Sequence, residues 1–154
     1  MNLVRLDELF DVKYGSNLEL NALHKDEHGI NFVSRTAKNN GVSAKVKPIS
    51  GLDPIPAGVL TVAGGGSVLE TFLQNKPFYS GRDLYYLIPK TGMSDTQKLF
   101  YAFCIRTNKY KYNYGRQANK TLRSIMIPDL SEVPDWIELS VKKIKKNVIK
   151  NIGL

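Results

Sequence analysis

The chain has 154 residues, 42% hydrophobic and 23% charged, which suits one ordinary globular domain and argues against disorder. Its single cysteine, Cys104, excludes an intrachain disulfide, and no apolar run approaches a membrane span or a signal-peptide core, so a cytoplasmic protein off the membrane is expected. Lys plus Arg number 22 against 14 for Asp plus Glu, a net +8 that attracts polyanions but does not identify one.

Leu6-Asp7-Glu8-Leu9 is long enough for one helical turn. Phe10-Asp11-Val12-Lys13-Tyr14 alternates apolar and polar with period two and stops at Gly15-Ser16-Asn17, the pattern of a half-buried strand and turn. Residues 21–29 are mostly polar, carry His24 and His28, and read as a loop. Ile30-Asn31-Phe32-Val33-Ser34 reads as a short strand. The polar loop Arg35-Thr36-Ala37-Lys38-Asn39-Asn40-Gly41 follows, and its Asn-Gly pair favours a tight turn. Residues 42–46 alternate again.

Pro54 and Pro56 break the chain before Gly58-Val59-Leu60-Thr61-Val62-Ala63, an apolar, partly β-branched run typical of a buried strand. Gly64-Gly65-Gly66-Ser67 turns the chain into residues 68–73. Pro77-Phe78-Tyr79-Ser80-Gly81 reads as a connection, and residues 83–89 as a strand stopped by Pro89. Ser94 with Gln97 makes a capping-box pattern, which predicts a helix over 94–107. Residues 124–127 read as a last short strand before Pro128. Pro134 suits the start of a terminal helix, where Ile137, Val141, Ile144 and Val148 form a seam that a neighbouring surface must cover. The expected fold class is α+β: a strongly bent, mainly antiparallel β core with a central helix and a C-terminal amphipathic basic helix.

The residues give little support for catalysis. No Gly-Lys-Ser/Thr follows Gly64-Gly65-Gly66-Ser67, so the stretch is read as a turn where backbone passes closely rather than as a P-loop. His24 and His28 flank Lys25-Asp26-Glu27 in what reads as solvated loop, so no metal site is assigned. Asp11-Val12-Lys13 has the local spacing of a magnesium-dependent nuclease, but Asp7 and Glu8 are too near in sequence to supply the partner acid. No nucleophile has a recognisable setting, and no Asn/Asp-Pro-Pro-aromatic tetrad is present for methyl transfer.

Binding is better supported. No acidic residue lies between Asp95 and Asp129, whereas Lys98, Arg106, Lys109, Lys111, Arg116, Lys120 and Arg123 all do, and Lys142, Lys143, Lys145, Lys146 and Lys150 follow. Lys109-Tyr110-Lys111-Tyr112-Asn113-Tyr114-Gly115-Arg116-Gln117 interleaves cations with aromatics; if extended, it puts lysines on one face and tyrosines on the other. Lys and Arg neutralise phosphates, while Asn, Gln and Arg can read base edges. The plainer alternative has the tyrosines packing on the core while the lysines stay solvated. Arg116-Gln117-Ala118-Asn119-Lys120-Thr121 is a donor-rich stretch that favours the binding reading, and residues 35–40 are a second such segment.

With these stretches the sequence resembles the target recognition domain of type I restriction-modification specificity subunits and of related single-chain restriction-methyltransferase enzymes. The likeness rests on residues 6–15, on Ile30-Asn31-Phe32-Val33-Ser34-Arg35-Thr36, and on Gly58 to Ala63 with the glycines that follow. It is completed by Tyr114-Gly115-Arg116-Gln117-Ala118-Asn119 leading to Ile125-Met126-Ile127-Pro128-Asp129-Leu130. The resemblance implies a non-catalytic reader of double-stranded DNA that needs no cofactor of its own. S-adenosylmethionine and the catalytic residues would belong to a separate adenine-N6 methyltransferase (modification) subunit, often joined by a restriction subunit. The family's domain is followed by a long helix that docks methylation subunits; here residues 134–152 take that place and are short. A half-subunit pairing with itself through the C-terminal helix, or one domain of a longer chain, is the corresponding expectation.

The expected division is a DNA target recognition domain over 1–132 and a C-terminal helix over 133–154 for packing, dimer or methyltransferase contact. Lys109, Lys111, Lys120 and Arg123 are assigned to phosphates. Arg35, Asn39, Asn40, Arg116, Gln117 and Asn119 are assigned to base edges, and Lys38 and Tyr114 join the same surface. Gly65 and Ser67, within the turn 64–67, let backbone approach the duplex. The competing readings are a nuclease using Asp11 and Lys13, and a protein-interaction module with incidental charge.

Overall fold

The computed structural model describes residues 1–111 and 118–151. Leu3–Arg5 (β1) runs into the one-turn helix Leu6–Leu9 (α1) and then Phe10–Tyr14 (β2), in keeping with the alternation of the opening sequence. Lys25–Val33 (β3), Val42–Val46 (β4), Val59–Ala63 (β5), Thr71–Gln74 (β6), Phe78–Ser80 (β7) and Leu84–Pro89 (β8) follow. Asp95–Arg106 (α2), Met126–Pro128 (β9) and Asp135–Asn151 (α3) complete the described strands and α-helices.

Among the described residues the strands form three small sheets: a four-stranded sheet in the order β2-β8-β5-β6, a three-stranded sheet β4-β3-β7 and the pair β1-β9. All pairings are antiparallel except β3 with β7. The α+β expectation therefore holds, with a helix at each expected place. β5 lies inside the largest sheet and all five of its residues are buried, the physical meaning of its unbroken apolar run. The Ser94 hydroxyl accepts the Gln97 N–H at 3.1 Å, and the Gln97 amide oxygen accepts the Ser94 N–H at 2.8 Å, so α2 begins with the expected reciprocal cap.

The main core joins α1, α2 and the four-stranded sheet through Leu6, Phe10, Leu60, Val62, Leu87, Tyr101 and Ile105, with Leu122 and Ile127 arriving from the later chain. Each fully buried aliphatic side chain of this kind contributes about 1.5–3 kcal/mol relative to exposure. Tyr101 meets Phe10 edge-on at 5.6 Å and donates its hydroxyl to the Pro128 carbonyl at 2.9 Å, tying α2 to β9. A second cluster, Val33, Ile55, Val59, Phe78 and Leu84, joins the two larger sheets.

Three local expectations are corrected. Residues 25–29 are strand, not loop: β3 extends through them, and Lys47 N–H donates to the His24 carbonyl beyond the strand end at 2.8 Å. Lys25 and Ile30 both pair with Val46, so residues 26–29 bulge from the ladder; much of their side-chain surface stays in water, and no apolar alternation marks them. Residues 78–80 are strand, not a connection, because buried Phe78 and Tyr79 seat the chain beside β3 between Pro77 and Gly81. Residues 107–111 form a 3-10 turn, so Lys109 and Lys111 do not share one face of an extended segment.

The seam of α3 is only partly covered among the described side chains. Ile137 is half-buried, but Ile144 is 62% exposed, as are Trp136 at 65% and Leu139 at 67%. Among the described residues, no helix is long and apolar enough to cross a membrane.

Candidate nucleic-acid interface

The turn 64–67 is the meeting point of segments far apart in sequence. Gly64 N–H donates to the Asp83 carbonyl at 2.7 Å, and the Gly64 carbonyl accepts the Ala118 N–H at 2.9 Å. A side chain on Gly64 would put its Cβ 2.5 Å from Asn119 Oδ1 and 2.9 Å from the Tyr85 ring, so only glycine lets the two segments close. Gly66 does the same for the earlier loop, since a Cβ there would lie 2.9 Å from the Arg35 Cβ and carbonyl oxygen, whereas one on Gly65 would meet only the movable Arg35 Nη1, at 2.8 Å. Gly66 also has φ +59°, a left-handed conformation that costs glycine little. Ser67 N–H completes the seam by donating to the Arg35 carbonyl at 3.3 Å.

Arg35 and the Ala118–Asn119 pair thus meet at one glycine turn, whereas Asn40, farther along the same loop, lies against β6. Arg35 is held there by an ion pair, Nη1 to Asp83 Oδ2 at 3.0 Å, with side chains 29% and 25% exposed. Tyr14 supports the turn by accepting the Asp83 N–H at 2.7 Å, and its ring meets Tyr85 edge-on at 5.1 Å. Burial pushes the Tyr85 phenol pKa up, so the ring stays neutral beside these charges.

Asn39, Asn40 and Gly41 have φ of 51°, 56° and 80°, a run of left-handed residues that asparagine and glycine tolerate best. Both asparagine amides are already engaged. Asn39 Nδ2 donates to the Val42 carbonyl at 3.0 Å and Asn40 Nδ2 to the Leu73 carbonyl at 3.0 Å. Leu73 and Thr71 turn their carbonyls away from β5, towards the outer edge of β6. Asn40 caps the first of these, and Arg106 Nη1 caps the second at 2.6 Å. Asn40 therefore serves the fold as an edge cap, in addition to any contact its exposed position allows.

Lys38, Lys111 and Lys120 are exposed, and the Lys111 ammonium lies 5.8 Å from the Tyr110 ring centroid. Lys109 is paired with Glu70, and Arg123 reaches the Val12 carbonyl at 3.4 Å near the β2 edge of the sheet. Asn119 is half-buried beside Gly64. Tyr114, Arg116 and Gln117 lie outside the described residues. The pairings of Asp83, Tyr14, Glu70 and Arg106 did not stand out in the sequence, since their partners are 35 to 69 positions away.

The nuclease alternative finds no supporting arrangement among the described residues. Asp11 and Lys13 are exposed on edge strand β2, and no three His, Cys, Asp or Glu side chains come together as a metal set.

A family model, the type I restriction modification DNA specificity domain, matches residues 1–150. The chain is 29% identical over 159 residues to the type II restriction enzyme BgcI specificity subunit S.BcgI of Heyndrickxia coagulans, covering 97% of this chain and 45% of that protein. Among solved structures it resembles the HsdS subunit of Thermoanaerobacter tengcongensis, with TM-score 0.67, 17% identity, and coverage of 97% of this chain and 38% of that one. It also resembles the type I restriction-modification S subunit of M. genitalium, with TM-score 0.62, 12% identity, and coverage of 97% and 42%. The chain thus spans less than half the length of each of these relatives. The family match over residues 1–150, nearly the whole sequence, shows that this chain belongs to the type I restriction-modification DNA specificity domain family.

Proposed function

We propose that this domain reads the sequence of double-stranded DNA as the specificity part of a restriction-modification system, directing an adenine-N6 methyltransferase and a restriction partner that carry the chemistry. The observation that supports the reading is the convergence of Arg35 and the Ala118–Asn119 pair on the glycine turn. Arg35 and Asn119 supply donors of the kind that read base edges, while Lys38, Lys111 and Lys120 are exposed cations suited to phosphates. Arg116 and Gln117 belong to this assignment by sequence. Lys109 and Arg123 are second-line phosphate ligands, because each is already engaged with a protein group.

Residues 1–132 act as the recognition domain and 133–154 as the contact element. Exposed Trp136, Leu139 and Ile144 support a protein partner for α3, either a methyltransferase subunit or a second copy of this chain.

Selection of bound duplexes from a random pool tests the reading. Recovery of one shared motif is expected, with a salt slope of about −4 to −5 if about five phosphates are neutralised. Recovery of no motif, with equal affinity for all duplexes, contradicts it.

A further inference from the structure

Asp83 is an acidic residue at the glycine turn, paired with a cation assigned to DNA, and that placement demands a reason. Its carboxylate meets Arg35 Nη1 at 3.0 Å, its carbonyl accepts Gly64 N–H at 2.7 Å, and its own N–H donates to Tyr14 Oη at 2.7 Å. It does all this at φ 53°, a left-handed conformation uncommon for a residue with a side chain. One residue therefore grips the Arg35 loop through its side chain and the glycine turn through its main chain. The Gly64 carbonyl passes the grip on to Ala118, beside Asn119.

Arginine has a long side chain with many rotamers, and a guanidinium sweeping freely over a DNA surface meets phosphates wherever they come. A carboxylate bonded to one Nη of the planar fork narrows the directions the group can take, which suits a base edge more than a diffuse backbone charge. It also cancels the charge that would otherwise draw Arg35 to any phosphate. The pair is about a quarter exposed at each partner, accessible to a ligand yet sheltered enough to persist.

We propose that Asp83 is a specificity-determining positioning residue: it aims Arg35 across Gly65 and Gly66 and sets the spacing between Arg35 and the Ala118–Asn119 segment. The inference rests on the DNA-reading function proposed above and adds the residue that makes the reading selective.

Asp83→Asn and Asp83→Gly both tolerate a left-handed backbone and keep the main-chain bonds while removing the carboxylate. Titrations use the full chain with the duplex the wild-type protein selects and with a scrambled duplex of equal composition. Affinity for the selected duplex is expected to fall roughly tenfold. Affinity for the scrambled duplex is expected to hold or rise, with a salt slope steeper by about 0.9 as Arg35 becomes one more phosphate ligand. In an Arg35→Ala background, removal of the carboxylate is expected to leave the preference unchanged within about twofold. Equal losses on both duplexes, an unaltered preference, or the same loss without Arg35 would overturn the proposal. So would unfolding of both variants, read by circular dichroism, which would make Asp83 purely structural. A wild-type chain that selects no duplex fails earlier, at the reading beneath, and takes this proposal with it.

Discussion

Ala118 donates its N–H to the carbonyl of Gly64 at 2.9 Å, and that bond ties the later basic segment to the turn between β5 and β6. Gly64 accepts Ala118 on one side and donates to Asp83 on the other, so one residue ties three separate segments together. Nothing larger than glycine fits there.

Gly64→Ala is expected to destabilise the domain by about 1–3 kcal/mol, because the added Cβ meets the Tyr85 ring and Asn119 in a closely packed setting. Urea unfolding measures the loss. An unchanged midpoint would mean that segment 118–120 is not seated against the turn.

Asn40 has two structural duties, a left-handed backbone and an amide that caps the β6 edge. Asn40→Ala loses both and should cost about 1–3 kcal/mol; Asn40→Gly restores the backbone and should recover about 1 kcal/mol of that. Its effect on duplex binding should be alike for matched and scrambled sequences once folding is corrected for. A loss confined to the matched duplex would make Asn40 a base reader after all.

Lys111→Ala and Lys120→Ala should weaken binding to every duplex alike and reduce the magnitude of the salt slope by about 0.9 each. Fluorescence anisotropy at several salt concentrations gives the slope directly. A sequence-dependent loss would move either residue from phosphate to base contact.

Burial pushes the Cys104 thiol up to about 11, so the folded chain holds that proton more tightly than the unfolded chain does. The stabilisation is complete below the ordinary thiol value of 9.0 and is lost as pH rises through about 11. Alkylation at pH 8 should be roughly a hundredfold slower in the native protein than in urea. Equal rates would place Cys104 in open solvent.

Trp136 is the sole tryptophan and is 65% exposed on α3. If α3 is the contact element, adding a methyltransferase subunit, or raising the concentration of the chain itself, should shift Trp136 emission to the blue. Emission constant in both titrations would assign the contact elsewhere.

What could be read from sequence was whatever local chemistry dictated. The apolar run of β5, the Ser94 and Gln97 cap of α2 and the alternation of β2 each carry their own signal within a few residues. The left-handed turn at Asn39, Asn40 and Gly41 was visible in the Asn-Gly pair. The extension of β3 through Lys25 and the short strand Phe78–Ser80 were not, since both depend on a neighbouring strand rather than on their own composition. At the site, the residue types of the wall were legible, but their pairing was not. Arg35 and Asp83 are 48 positions apart, Lys109 and Glu70 39, and neither spacing has a periodicity to betray it. The engagement of Asn40 with the β6 edge was likewise invisible, because a polar loop residue looks the same whether it caps a strand or faces a ligand.

Amide chemical shifts followed during titration with the selected duplex test the central claim most directly. The account predicts that residues 35–40, 64–67 and 118–120 shift together, at the same duplex concentration, while the exposed β3 extension at residues 25–29 stays still. Shifts confined to one of the three segments, or centred on that extension, would contradict a single DNA-reading wall.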